Sequence, residues 1–258
     1  MHRWSPRSLA LALLVTLTLA ACASTGTKSP PPDVKEVRPG ILEGYLPADA
    51  QPDSLALVPP PPKEGSAAFE RDEEAARATF ALRGSPRWKL AIADADLHFP
   101  AAADHFYDAI GFAVTKQDTP WLYQLLRRSI ADPGLSTYAA KNHYARPRPF
   151  MVNGEPIGTP DDEAFLREDG SYPSGHTAIG WAWALILTEI VPDRTDAILA
   201  RGLDYGRSRM ILNVHWQSDV DAGRIMAAAT VARLHANEEF RHDLEMAKRE
   251  VARIRSKK

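Results

Sequence analysis

From Ser66 onward apolar residues return every three or four positions. The periodicity predicts helices over Ser66 to Leu82, Pro86 to His98, Pro100 to Val114, Pro120 to Ile130 and Leu135 to His143. A later stretch, Ala178 to Val191, is apolar on nearly every side and predicts a buried core helix; it is too short, with Glu189 near its end, to read as a membrane span. Pro86, Pro100 and Pro120 each suit a first helical turn, where the missing amide hydrogen costs nothing, and Gly84 and Gly134 suit the breaks between segments. No run of alternating β-branched residues competes, and there is no internal repeat. The expected fold is all-α, a compact helical bundle over residues 66–258.

Ahead of Ser66 the pattern is different. Arg3 and Arg7 precede an apolar run from Leu9 to Leu19 interrupted only by Thr16 and Thr18, which reads as a secretory signal over residues 1–21 rather than a membrane span. The run ends in Leu19-Ala20-Ala21-Cys22, which resembles a bacterial lipobox. That resemblance implies a diacylglycerol thioether on Cys22, a periplasmic location with membrane contact only through the lipid, and sorting to the outer membrane, because Ala23 rather than an aspartate follows. The other reading is a signal peptide with a stray cysteine. Residues 22–65 are rich in proline and small polar residues, including Pro30-Pro31-Pro32 and Pro59 to Pro62, and read as an extended tether.

A net charge of -2 and a pI near 6.5 give no global attraction for nucleic acid, so any affinity for anions must be local. The single cysteine excludes an intramolecular disulfide and a cysteine-based metal site. Asp94, Asp96, His98, Asp104 and His105 cluster without a familiar ligand spacing and read as solvated helix faces and caps; His143, His235 and His242 read as surface or packing residues. Neither a metal nor a cofactor is expected.

The chemistry concentrates in three blocks: Lys141-x6-Arg148-Pro149, Pro173-Ser174-Gly175-His176, and Ser208-Arg209-x5-His215-x3-Asp219. Prolines 147 and 149 disfavour helix in the residues before them, so the first block can aim Lys141 and Arg148 inward; alone, it could equally be a basic loop in water. Arg146 is an additional cation of supporting rank. Ser174 is placed to cap the apolar helix, whose first amides lack intrahelical partners, and Gly175 lets an anion approach them. An ordinary capped helix accounts for Ser174 but not for His176. The spacing of His215 and Asp219 puts them on one face if the segment is helical, where the carboxylate would fix the ring's tautomer; a structural His-Asp pair reads the same way.

Taken together, in this order and spacing, the blocks resemble the signature of the acid phosphatase and vanadium haloperoxidase superfamily, also known as type 2 phosphatidic acid phosphatases. Gly170-Ser171-Tyr172-Pro173-Ser174-Gly175-His176-Thr177 and His215-Trp216-Gln217-Ser218-Asp219-Val220-Asp221-Ala222-Gly223-Arg224 are similar to blocks of bacterial class A non-specific acid phosphatases, a resemblance that runs from about residue 55 to the C-terminus. The later part of the tether, Leu55 to Gly65, also resembles the proline-rich lead-in to the class A acid phosphatase domain, which implies that it lies along the domain surface. The resemblance implies metal-free hydrolysis of varied phosphomonoesters. His215 would be the nucleophile that becomes phosphorylated, Asp219 its orienting partner and His176 the acid and base. Lys141, Arg148, Arg209, the Ser174 hydroxyl and the Ser174 and Gly175 amides would hold the phosphate. Relatives of this kind often associate, so a homo-oligomer is a further expectation. The competing readings are a vanadium-dependent haloperoxidase, a lipid phosphatase, which would ordinarily carry several membrane spans, and a non-catalytic oxyanion-binding lipoprotein.

Overall fold

The computed structural model describes residues 29–256. A two-stranded antiparallel hairpin, β1 (Glu36–Arg38) and β2 (Ile41–Leu42), comes first. The short helix α1 (Ser54–Leu57) leads into α2 (Ala67–Thr79), α3 (Pro86–Ala93), α4 (Tyr107–Ile110), α5 (Pro120–Arg128), α6 (Ala131–Leu135), α7 (Tyr138–Tyr144), α8 (Pro149–Asn153) and α9 (Glu163–Glu168). Four longer helices close the chain: α10 (Gly175–Ile190), α11 (Thr195–Ile211), α12 (Gln217–Leu234) and α13 (Glu238–Arg255). The domain is all-α, as the periodicity predicts, and no described helix is long and apolar enough to cross a membrane.

Helix α10 runs through the centre because its sequence leaves it no polar face: Ala178, Ile179, Ala182, Trp183, Ile186 and Leu187 are all buried, and the Trp183 indole donates to the Leu126 carbonyl at 3.0 Å. Helices α11 and α12 flank it at close range. A Cβ on Gly180 would come within 2.1 Å of the edge of the Tyr205 ring, and one on Gly223 within 2.6 Å of the Ser174 carbonyl. These two glycines draw α11 and α12 against the first half of α10, which fixes the three motif-bearing segments relative to one another. A second apolar cluster, including Ala91, Phe150, Leu166, Leu212 and Val214, packs beside it.

Several expectations need correction. The stretch read as a tether is packed from Ser29 on: Leu42, Tyr45 and Val58 are buried, and Trp121 donates to the Ser29 carbonyl at 2.9 Å. The Tyr45 amide donates to Asp132 at 2.8 Å, its hydroxyl to Asp243 at 2.9 Å, and the Arg128 guanidinium lies 3.8 Å above its ring. Proline content made the segment extended, but a few apolar residues sufficed to glue it down. The predicted Pro100 to Val114 helix is a 3-10 turn (Ala101–Phe106) followed by α4, stopped by Gly111 at φ 81°. Gly134 lies within α6 rather than in a break. Asp94 is not solvated but fully buried, accepting from Arg201 and from the Ser208 hydroxyl.

Candidate active site

The first block turns inward where α7 ends. Ala145 adopts a left-handed conformation (φ 42°) and donates its amide to the Lys141 carbonyl, after which Arg146-Pro147-Arg148 is extended up to the proline that starts α8. Residues 169–171 run alongside this turn, with the Ser171 amide donating to the Arg146 carbonyl at 2.9 Å. Gly170 permits the approach, since a Cβ there would come within 2.7 Å of the Lys141 carbonyl. Arg148 is held at every nitrogen. Its Nε donates to the Leu166 and Asp169 carbonyls, its Nη1 to the Val214 carbonyl, and its Nη2 to the Asp169 carboxylate, all at 2.8 to 2.9 Å. Lys141 donates to the same carboxylate at 3.1 Å and to the Gly170 carbonyl.

The second block caps α10. Ser174 Oγ accepts from the Thr177 amide and hydroxyl, while the Ser174 amide donates to the Asp219 carbonyl at 2.9 Å. The expectation that this amide serves an anion is therefore corrected: it ties α10 to α12, and the amides of Gly175 and His176 are the first-turn donors that the helix does not use. His176 is half-buried, with Nε2 3.1 Å from the Ala95 carbonyl. Burial, reinforced by Arg209, holds its pKa well below the ordinary imidazole value.

In the third block Arg209 sits in the last turn of α11, 1% exposed, and its Nε and Nη1 have no hydrogen-bond partner among the described residues. The chain then bends through Asn213 (φ 62°) to His215, which precedes α12. The histidine and Asp219 thus do not share a helical face. They meet because Asp219 folds back over the start of α12, accepting from the Trp216 amide at 2.8 Å, with Oδ2 3.4 Å from His215 Nδ1. His215 Nε2 lies 3.2 Å from Arg148 Nη1. A guanidinium only donates, so Nε2 must carry the lone pair and Nδ1 the proton, facing Asp219. Burial first, then Arg148, Lys141 and Arg209, hold the His215 pKa well below its usual value.

Behind His215 lies a chain of groups that sequence reasoning saw only in part. Arg146 donates to Asp219 Oδ1 at 2.6 Å and to Asp72 Oδ2 at 2.8 Å, and Asp72 also accepts from the Ser218 amide at 2.9 Å. Burial raises the Asp219 pKa, and Arg146 opposes the rise.

A cavity of about 240 Å³ brings together Lys141, Arg148, Arg209, Gly175, His176 and His215. Asp219 and Ser174 stand behind this lining, both fully buried, and Cys22 lies outside the described residues. Asp169, which also lines the cavity, was not anticipated. The three cations crowd one another. Burial and Arg148 lower the Lys141 pKa to about 8, and the same two causes lower that of Arg209 to about 10. Among the described residues no group of three or more His, Cys, Asp or Glu side chains is arranged to hold a metal ion.

Residues 125–242 match the family model of the PAP2 superfamily. The chain is 43% identical over 246 residues to a non-specific acid phosphatase of Providencia stuartii, an alignment covering 94% of this chain and 98% of that protein. It is 41% identical over 204 residues to an acid phosphatase of Zymomonas mobilis (79% of this chain, 77% of that one). To a non-specific acid phosphatase of Salmonella typhimurium it is 40% identical over 200 residues (77% and 80%).

Proposed function

We propose, on the premise that the chain belongs to the PAP2 superfamily and is a non-specific acid phosphatase, that it hydrolyses phosphomonoesters through a phosphohistidine at His215. His215 Nε2 attacks phosphorus in line, the P–O ester bond breaks, and His176 gives its proton to the departing alkoxide. Water then attacks the phosphohistidine as His176 takes a proton back, and inorganic phosphate leaves. With Nε2–H on the Ala95 carbonyl, Nδ1 is the His176 nitrogen whose proton comes and goes. Lys141, Arg148, Arg209 and the Gly175 and His176 amides carry the charge on the equatorial oxygens. Ser174, behind the cavity lining, accepts from the Thr177 amide and hydroxyl and so fixes the first turn of α10 that presents those amides.

The observation that carries this reading is the buried excess of positive charge beside an unprotonated imidazole nitrogen. Of the three cations two, Lys141 and Arg148, share one carboxylate, Asp169, and two nitrogens of the third, Arg209, have no partner among the described residues. A phosphate dianion supplies what is missing. The pH behaviour follows in sign: the depressed pKa of His215 keeps Nε2 free in acid, whereas His176 must be protonated before the ester bond breaks, and the incoming dianion favours that protonation. Activity should therefore lie on the acid side. Replacing His215 by Ala should abolish hydrolysis of p-nitrophenyl phosphate, with an unchanged far-UV spectrum and none of the phosphoenzyme that an alkaline denaturing quench traps in the unmodified protein. Undiminished turnover would remove the nucleophile from the scheme.

For location, the reading is a periplasmic lipoprotein of the outer membrane anchored through Cys22, supported by Leu19-Ala20-Ala21-Cys22. Six residues separate Cys22 from Ser29, where packing begins, so an anchored chain could stand no more than about 25 Å off the bilayer. Cys22→Ser should move the protein from membrane to soluble fractions; retention in the membrane would refute the anchor.

A further inference from the structure

The charged floor occupies only the inner part of the cavity. Its outer wall is built from other residues: Val37 and Ile41 of the hairpin, Leu97 after α3, Ile130 and Leu135 around α6, and Phe165 of α9. Three of these stay open to solvent at the mouth, Val37 at 50%, Leu135 at 52% and Phe165 at 63%, although they are large and apolar. An exposed apolar rim continuous with a buried cationic floor is amphiphilic in the same sense as an ester with a phosphate head and a hydrocarbon body. Polar partners in the wall are few. Thr137, Tyr138 and Arg38 line it, and Arg38 hydrogen-bonds with Tyr138. The hydroxyls of a sugar or glycerol phosphate, seated phosphate-first, would lose water without replacement.

We infer that this wall, with the N-terminal hairpin as one of its sides, selects phosphomonoesters of apolar alcohols, alkyl or aryl, over those of polyols. The inference rests on the phosphomonoesterase reading above and adds to it the class of leaving group. It also gives residues 36–42 a role beyond their packing: β1 and β2 carry Val37, Arg38 and Ile41 to the mouth from a part of the chain outside all three motifs.

Unbranched alkylphosphonates, from methyl to octyl, measure the wall without turnover because they have no ester bond to break. Calorimetric titration of the full chain should give affinities that rise about two- to fourfold per methylene over the first several carbons. Val37→Asp and Phe165→Asp, both at exposed positions, should each lower the hexyl-to-methyl affinity ratio by roughly tenfold, with vanadate binding followed in parallel as the measure of the floor. A flat ladder in the unmodified protein, or one that neither variant changes, overturns the inference. A flat ladder on protein that still hydrolyses p-nitrophenyl phosphate counts against the wall alone. An intact ladder on protein without hydrolysis counts against the catalytic reading alone.

Discussion

Two buried polar clusters meet at His215, and they are built on opposite terms. On the inner side Asp72, Arg146 and Asp219 alternate in charge, each within 2.6 to 2.8 Å of the next. On the cavity side stand three cations, Lys141, Arg148 and Arg209; only the first two pair with the carboxylate that lines the cavity, Asp169, and Arg148 depresses the pKa of the other two. Buried charge is costly unless paired, so the first arrangement is what a fold tolerates at rest and the second is what it tolerates only for a ligand. The difference separates two kinds of residue that a motif lists together. Asp219 belongs to the inner cluster and lies against the ring; Arg209 belongs to the floor and lacks partners for two nitrogens among the described residues.

The most damaging change should fall on the inner cluster. Arg146→Met strands the Asp72 and Asp219 carboxylates, and breaking a buried pair by removing one partner costs about 3 to 5 kcal/mol. Urea unfolding should show that loss with little change in the denaturant slope, and turnover should fall because Asp219 no longer has a fixed orientation. Adding Asp72→Asn should recover part of the stability by neutralising one of the stranded groups. A loss within about 1 kcal/mol would mean that water or protonation compensates the carboxylates and that the two clusters differ less than their geometry suggests.

How much of this was legible in sequence follows the same division. Lys141, Arg148, His176, Arg209 and His215 stand in three blocks whose spacing marks them, and the structure gathers all five around one cavity. Asp169 closes a polar run, Arg167-Glu168-Asp169, in which nothing separates it from the other acids; only the path of residues 169–171 beside α7 makes it the shared partner of two cations. Asp72 is hidden in Arg71-Asp72-Glu73-Glu74, which reads as a solvated helix face until α2 is packed against α12 through Phe69 and Trp216. Asp94 is similar: its burial under Arg201 and Ser208 comes from α11 crossing α3. The proline-rich segment misled for another reason. Proline reports backbone conformation, and extended backbone can lie on a domain as readily as in water; the informative residues were Leu42, Tyr45 and Val58. The hairpin's place at the cavity mouth had no local signal at all.

The smallest stability effect should come with a specific functional one, at Gly175. Two glycines border the turn that starts α10, and they are required for different reasons. Gly223 is demanded by packing, because its Cβ would press on the Ser174 carbonyl. Gly175 is not: a Cβ there would meet nothing closer than Thr137 Oγ1, at 3.7 Å, and its backbone is not left-handed. Alanine at the first position of a helix is unstrained, so Gly175→Ala should change stability by no more than about 0.5 kcal/mol. Yet Gly175 lines the cavity beside His176, and a methyl group there stands where an oxyanion would approach the helix amides. Vanadate inhibition and kcat/KM for p-nitrophenyl phosphate should both weaken about tenfold or more, because a displacement of order 1 Å at a reacting centre is that costly. Equal vanadate affinity in the two proteins would show that the first turn of α10 does not touch the anion, leaving the cationic floor to hold it alone.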